Sequence, residues 1–280
     1  MKEFFKQDNE TILEKARELN EKNPFKLPTD SDFHYSDILI DSTHTLKIEQ
    51  QADRAILYLH GGGMVLTATP TDTKLVKDIA KQTQKDVWAP SYPLMTETSI
   101  DVTFDVLLKI YEHMCQNYKH ITVIGFSAGA SLAMGLCLHL NALNNPLPMP
   151  DKLVVCSPGI AAYNQDVTDK MTQLNDQDIL LDVNFLKNIT SILTQNKTDI
   201  PSYMLAGIDG DFTNFPPTHL FYGEDEIVVA ASDDIVNILK QHTTVTLDIE
   251  PKMFHCYMMF HIVPEGKKKW KEIISLLKNS

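Results

Sequence analysis

Residues 121–134 read ITVIGFSAGASLAM, and this stretch determines how the rest of the chain is interpreted. The apolar run that ends at Ile124 predicts a strand, and the small residues after Gly129 predict a helix. Glycines at 125 and 129 let the chain turn sharply, because they carry no Cβ that would clash. Ser127 is then expected at the apex of the turn, where the unpaired amides of the following helix can bind negative charge.

Ser127 in this position can be a nucleophile or a helix N-cap. An N-cap serine does not require a glycine on each side, Gly125 and Gly129, whereas a serine raised on a sharp turn does. A serine hydroxyl is a weak nucleophile alone and needs an adjacent base. The pattern therefore predicts a nucleophile, with an acid and a base elsewhere in the chain.

A second motif, His60-Gly61-Gly62-Gly63, follows a short apolar strand. Consecutive glycines expose backbone amides, which can bind a phosphate or an oxyanion. No G-K-[ST] pattern follows, so the oxyanion interpretation is favoured. Gly62, Gly63 and Ala128 are the predicted N–H donors. His60 is expected to hydrogen-bond the backbone and, with Gly61, to maintain the shape of the loop.

Candidates for the acid and the base follow the last two predicted strands. Asp225 is the preferred acid, because a carboxylate beside a histidine fixes its tautomer and stabilises the imidazolium. Its neighbours Glu224 and Glu226 remain alternatives. His255 is the preferred base, and His261, just before the final helix, competes with it. The order serine, acid, histidine is the one found in the α/β-hydrolase fold.

Strands that alternate with helices predict an α/β fold, a mostly parallel sheet with helices on both faces. Residues 31–158 and 213–280 form the predicted core. Residues 159–212 are polar, with helical pieces near 175–194, and interrupt the alternation of strands and helices. They are interpreted as a cap insertion over the carboxyl ends of the strands, where ligands bind in such sheets. The helix within residues 1–30 is expected to join this cap.

Composition excludes several classes of function. The 280 residues are 43% hydrophobic but contain no apolar run long enough for a membrane span, and the charged start lacks a signal core, so a cytoplasmic location is expected. The net charge of −12, with only two arginines, disfavours nucleic acid as a partner. The four cysteines lack C-x-x-C spacing and no H-E-x-x-H motif occurs, so no metal is predicted.

These motifs resemble the hormone-sensitive-lipase-like branch of the α/β-hydrolase esterase and lipase family. The resemblance rests on His60–Gly63, on Gly125–Gly129 and on Phe215–Ile227, which includes paired prolines before the acidic turn. It covers roughly residues 45–275. It implies an α/β-hydrolase fold with a helical cap, hydrolysis of carboxylic esters without a cofactor, and a triad of Ser127, Asp225 and His255.

The expected function is therefore a serine esterase acting on short-chain acyl esters of small molecules, and a homodimer is compatible with the sequence. An amidase, a peptidase or a deacetylase on the same triad is an alternative. A non-catalytic small-molecule receptor is disfavoured, because such descendants usually lose a triad member. Departures from the usual family motifs at Met64, Pro93, Phe126 and Ala130 concern substrate preference.

Overall fold

The fold is built on one eight-stranded sheet. The computed structural model describes residues 1–144, 147–159, 164–205 and 207–279, so residues 160–163 and 206 of the predicted cap insertion lie outside the described residues. The strands are β1 (His34–Ile40), β2 (Thr43–Glu49), β3 (Arg54–Leu59), β4 (Asp86–Pro90), β5 (His120–Phe126), β6 (Lys152–Cys156), β7 (Thr218–Gly223) and β8 (Val245–Glu250).

The strand order across the sheet is β1-β2-β4-β3-β5-β6-β7-β8. β2 runs antiparallel to both β1 and β4, and every other neighbouring pair is parallel. This arrangement confirms the predicted α/β fold class. It also brings the carboxyl ends of β3, β5, β7 and β8 to one edge, since parallel strands end on the same side.

Ten α-helices accompany the strands within the described residues. They are α1 (Lys2–Phe5), α2 (Asn9–Lys22), α3 (Pro70–Thr83), α4 (Ile100–Asn117), α5 (Ala128–Ala142), α6 (Gln165–Leu174), α7 (Val183–Thr194), α8 (Ser202–Leu205), α9 (Ser232–Leu239) and α10 (Pro264–Lys278).

The central strands are buried on both faces because helices cover each side. In β5, Val123 packs with the apolar side chains of α4 and α5, whereas Ile124 packs with those of α3 and α10. In β3, Leu57 and Tyr58 divide between the same two clusters. Successive side chains of a strand point to opposite faces, so a continuous apolar run is what such a strand requires.

The segment before α7 differs from its prediction. The prediction of helical pieces near 175–194 is confirmed for α7, but α6 ends at Leu174 and residues 175–182 form a turn. The buried carboxylate of Asp178 organises this turn by accepting the amide hydrogens of Leu180 and Leu181. Its second oxygen accepts the amide hydrogen of Ile227, 2.9 Å away, and thereby joins the turn to the chain after β7. Side-chain hydrogen bonds of this kind compete with helix formation.

Candidate active site

The turn after β5 holds Ser127 in a strained conformation. The backbone angles of Ser127 are φ 51° and ψ −120°, which lie outside the φ/ψ regions that non-glycine residues normally adopt. A Cβ at Gly129 would lie 2.1 Å from the carbonyl oxygen of Leu59, and one at Gly125 would lie 2.2 Å from that of Gly129. No side chain fits at either position, so the two glycines are required for this turn.

Ser127 and His255 are in direct contact. The Ser127 Oγ lies 2.8 Å from the His255 Nε2, although the residues are 128 positions apart. His255 is buried in the loop after β8, at the sheet edge where β5 also ends. The structure places the competitor His261 elsewhere, with its ring packed against Trp270. A hydroxyl and an imidazole at this distance can exchange a proton.

The structure does not bring Asp225 to His255, and Glu226 takes that place. The Glu226 Oε2 is hydrogen-bonded to the His255 Nδ1. Its other oxygen, Oε1, accepts the Gly223 amide hydrogen at 2.8 Å and the Ser157 hydroxyl at 2.9 Å. Glu226 is fully buried, so its carboxylate oxygens are satisfied by these donors, as buried polar groups require.

The path of the chain after β7 explains why Glu226, and not Asp225, contacts His255. The amide of Glu224 donates to the carbonyl of Glu250, and the amide of Asp225 donates to that of Met253. With these two residues hydrogen-bonded to β8 and its following loop, Glu224 is exposed, Asp225 is half-buried and Glu226 enters the interior. A signal for this was present in the sequence, since Glu226 directly precedes the apolar run Ile227–Ala231, which forms a buried 3₁₀-helix.

The electrostatics of the pair suit a proton-accepting histidine. Burial raises the pKa of Glu226, and the contact with His255 opposes that rise. Burial alone lowers the pKa of His255, but Cys256 and the Glu226 carboxylate outweigh it and hold that pKa well above its usual value of about 6.5. The carboxylate therefore stabilises the imidazolium that forms when His255 takes a proton.

The glycine loop after β3 lies against the serine turn. Gly62 has φ 110° and Gly63 has φ 63°, which are conformations that favour glycine. A Cβ on Gly61 would lie 3.2 Å from the carbonyl oxygen of Phe126. Among the described residues, the amides of Gly62, Gly63 and Ala128 donate no hydrogen bond within the protein. The loop and the start of α5 thus present backbone donors on the side of Ser127.

His60 supports this loop from behind. Its Nδ1 donates to the carbonyl oxygen of Gly61 at 2.7 Å, and its own carbonyl accepts the Tyr92 hydroxyl at 2.7 Å. The two rings stack with their centroids 4.2 Å apart. Burial lowers the pKa of His60, which favours the neutral imidazole. His60 therefore hydrogen-bonds the backbone of the glycine loop, as the sequence predicts.

A small cavity of about 50 Å³ adjoins Ser127. Helices α7 and α8 supply most of its apolar lining, and Phe5 of α1 packs against Phe185 of α7 with ring centroids 4.5 Å apart. The apolar side chains that line it include Met64, Phe104, Leu181, Phe185, Leu186 and Ile189. Residues from the 159–212 segment therefore line the cavity beside Ser127, and Phe5 of the N-terminal helix contacts one of them, Phe185.

The residues that the structure describes contain no cluster of three or more potential metal ligands of the His, Cys, Asp and Glu types. In the same residues, no helix has the length and apolar character needed to cross a membrane.

Comparison with protein families identifies the group to which this chain belongs. A profile described as the alpha/beta hydrolase fold matches residues 56–259, a range that contains the glycine loop, the serine turn, Glu226 and His255. The chain is a member of the alpha/beta hydrolase family. The fold that its motifs predicted is thereby confirmed, and the topology of the sheet agrees with it.

Two curated relatives of this alpha/beta hydrolase carry activity names. An esterase of Acinetobacter venetianus is 27% identical over 235 residues, which cover 81% of this chain and 76% of the relative. An acetyl-hydrolase of Streptomyces hygroscopicus is 26% identical over 227 residues, which cover 78% of this chain and 73% of the relative.

Solved structures show the same fold at low identity. A candidate esterase of Staphylococcus aureus superposes with a TM-score of 0.83 and 24% identity, covering 97% of this alpha/beta hydrolase and 94% of that chain. An esterase from the bacterial hormone-sensitive lipase family superposes with a TM-score of 0.81 and 20% identity, covering 98% of this chain and 92% of that chain.

Proposed function

We propose that this alpha/beta hydrolase cleaves carboxylic esters with Ser127 as nucleophile, His255 as base and Glu226 as the residue that orients the base. The observation that carries the proposal is the continuous chain of contacts between the three side chains, with the Ser127 Oγ 2.8 Å from the His255 Nε2 and Glu226 on the other ring nitrogen. The esterase and acetyl-hydrolase names of the curated relatives support the same class of reaction.

The first half of the reaction forms an acyl-enzyme. The Ser127 Oγ attacks the ester carbonyl carbon while the His255 Nε2 takes the hydroxyl proton. Glu226 remains ionised and stabilises the imidazolium. When the tetrahedral intermediate collapses, the bond to the alcohol oxygen breaks and His255 gives that oxygen its proton. The alcohol leaves, and the acyl group stays on Ser127.

The second half reverses these roles with water. His255 takes a proton from a water molecule, the resulting hydroxide attacks the acyl carbon, and the proton then returns to Ser127 as the acid leaves. In both halves the amides of Gly62, Gly63 and Ala128 are the proposed donors to the oxyanion. Losing one such donor typically costs about 2.7–4 kcal/mol of transition-state stabilisation.

Helices α1, α7 and α8 form the proposed cap, which covers Ser127 and limits the size of the acyl group. A volume of about 50 Å³ beside Ser127 is smaller than the roughly 150 Å³ cavity that accepts benzene in an engineered protein core. An acetyl group therefore fits more readily than a long chain, which must displace α7 or its side chains. The name of the Streptomyces relative, acetyl-hydrolase, is in keeping with this preference.

The test is hydrolysis of p-nitrophenyl acetate by the purified protein and its Ser127→Ala variant. The variant should lose activity by roughly 10³- to 10⁶-fold, because the nucleophile is absent, while its melting temperature stays close to that of the parent. Ser275→Ala, on the exposed side of α10, is the matched control and should keep full activity. Full activity in Ser127→Ala would refute the proposal.

A further inference from the structure

A second and larger cavity opens beside His60. It measures about 470 Å³ and shares no lining residue with the cavity at Ser127. Its walls include the chain segment 22–26 at the end of α2, the start of α3, and the end of β4. We call it the lysine-rimmed groove. Its volume falls within the roughly 300–1,000 Å³ range of small-molecule sites.

The groove carries a charge opposite to that of the chain. The protein has a net charge of −12, yet four lysines, Lys22, Lys26, Lys74 and Lys77, line this cavity against one acidic side chain. Lys77 pairs with Asp30 at 2.6 Å. Within the described parts of the chain, the other three lysines form no ion pair. Such a concentration of one charge sign attracts ligands of the other sign.

The single acidic side chain in the groove, Asp72, is occupied by hydrogen bonds. Its Oδ1 accepts the Tyr58 hydroxyl at 2.7 Å. Its Oδ2 accepts the amide and the hydroxyl of Thr69 at 2.7 and 2.6 Å, as part of the capping box that begins α3. These neutral donors occupy both carboxylate oxygens without removing the charge, so the rim has three lysines without ion pairs against this one carboxylate.

The inner wall of the groove holds an unsatisfied polar atom. His60 lines the groove and is only 2% exposed, and its Nε2 has no hydrogen-bond partner in the described structure. The Nδ1 faces the Gly61 carbonyl, which can only accept, so Nδ1 carries the hydrogen and the Nε2 of the neutral ring is an acceptor. A buried acceptor without a donor is costly. The Nε2 is shielded from solvent in this conformation, so the wall of the groove must shift slightly before a ligand hydroxyl can satisfy it.

Between the rim and His60 the lining is apolar. Phe25, Leu46 and Val76 lie along this part of the groove. The groove thus presents cations at its mouth, an apolar middle and a hydrogen-bond acceptor within. A ligand that complements all three has an anionic head, an apolar or aromatic body and a hydroxyl group at the far end.

We propose that the lysine-rimmed groove is a binding site for organic phosphates or carboxylates of this shape. The anionic head contacts Lys22, Lys26 and Lys74, and the hydroxyl donates to the His60 Nε2. A phosphate monoester is favoured over a carboxylate, because it brings up to two negative charges to the same lysines. This site is separate from the ester-cleaving residues, and its existence does not depend on their activity.

The test is calorimetric titration of the whole protein with 4-hydroxyphenyl phosphate. Changing Lys22, Lys26 and Lys74 together to Gln should weaken binding about tenfold or more, since each exposed ion pair contributes a modest amount. A control with the same loss of charge changes Lys267, Lys268 and Lys271 to Gln on the exposed face of α10. The control should bind like the parent, and 4-hydroxybenzoate should bind the parent more weakly than the phosphate does.

Phenyl phosphate, which lacks the hydroxyl, tests the contact with His60. It should bind more weakly than 4-hydroxyphenyl phosphate, and only the latter should shift the His60 Nε2 resonance in nitrogen-15 NMR spectra. The proposal fails if the parent binds no phosphate probe at millimolar concentration, or if both lysine variants bind equally. Equal affinity for the two phosphates, with no change at His60, would overturn the assigned orientation.

Discussion

The serine turn and the helices of the proposed cap are held in place in different ways. At the turn, backbone approaches backbone so closely that a Cβ on Gly129 would lie 2.1 Å from the Leu59 carbonyl. The covering helices meet through side chains, such as the rings of Phe5 and Phe185 at 4.5 Å and the Asn9 Nδ2 to Ser191 Oγ hydrogen bond at 2.8 Å. Side-chain contacts can be exchanged, whereas backbone contacts cannot.

This difference separates the chemistry from the choice of substrate. The reacting groups depend on glycines and on hydrogen bonds that tolerate little displacement, since small errors of position are costly in catalysis. Most of the apolar lining of the small cavity consists of interchangeable side chains from α7 and α8. We therefore expect substitutions at the turn to abolish function and substitutions in the covering helices to change selectivity.

The largest contrast is expected between two Gly→Ala variants. Gly129→Ala should destabilise the protein by about 3 kcal/mol or more, because the new methyl group meets backbone that cannot move aside. Gly210→Ala is the control in the 159–212 segment, where the nearest atoms are side-chain carbons of Leu138 and Tyr203 at 3.2 Å. It should cost less than about 1 kcal/mol. Urea unfolding measures both, and equal losses would contradict the distinction.

The pH dependence of the esterase reaction tests the electrostatics at the turn. His255 must be neutral to accept a proton, and its pKa is held above the usual value of about 6.5. Activity should therefore be lost as the pH falls through a value above 6.5, with about a tenfold loss for each further pH unit. The measurement is kcat/KM for p-nitrophenyl acetate against pH. A midpoint at or below 6.5 would contradict the assigned role of Glu226.

A smaller effect is expected from the covering helices. Phe185→Leu enlarges the cavity beside Ser127. We expect the ratio of kcat/KM for p-nitrophenyl hexanoate to kcat/KM for p-nitrophenyl acetate to rise by about three- to tenfold, which is typical of one small change in an apolar pocket. Phe215→Leu removes similar volume from a buried site that does not line the cavity, and it should leave the ratio unchanged. Parallel changes in both variants would argue that α7 does not set acyl selectivity.

Local patterns predicted most of the fold and two members of the candidate site. The apolar runs that end at Leu59 and Ile124 lie in strands β3 and β5, and the glycines at 125 and 129 sufficed to predict the sharp turn at Ser127. His255 was predicted as the base because it follows the last predicted strand. These features depend on residues close to one another in sequence, so local rules suffice for them.

The acid could not be chosen by local rules. Glu224, Asp225 and Glu226 are consecutive carboxylates, and their directions depend on hydrogen bonds to Glu250 and Met253, far along the chain. The turn before α7 depends in the same way on Asp178, which accepts the amide hydrogen of Ile227. Long-range contacts decide such details, which is why the sequence favoured Asp225 and the structure places Glu226 at His255.

The most direct test of the central claim compares Glu226→Gln with Asp225→Asn in hydrolysis of p-nitrophenyl acetate. Both variants remove one carboxylate charge from adjacent positions while keeping side-chain size. Glu226→Gln should lower kcat/KM by about 10²- to 10⁴-fold, because His255 loses the group that orients it and stabilises its charged form. Asp225→Asn should stay within about threefold of the parent. The reverse pattern, with the large loss in Asp225→Asn, would contradict the account.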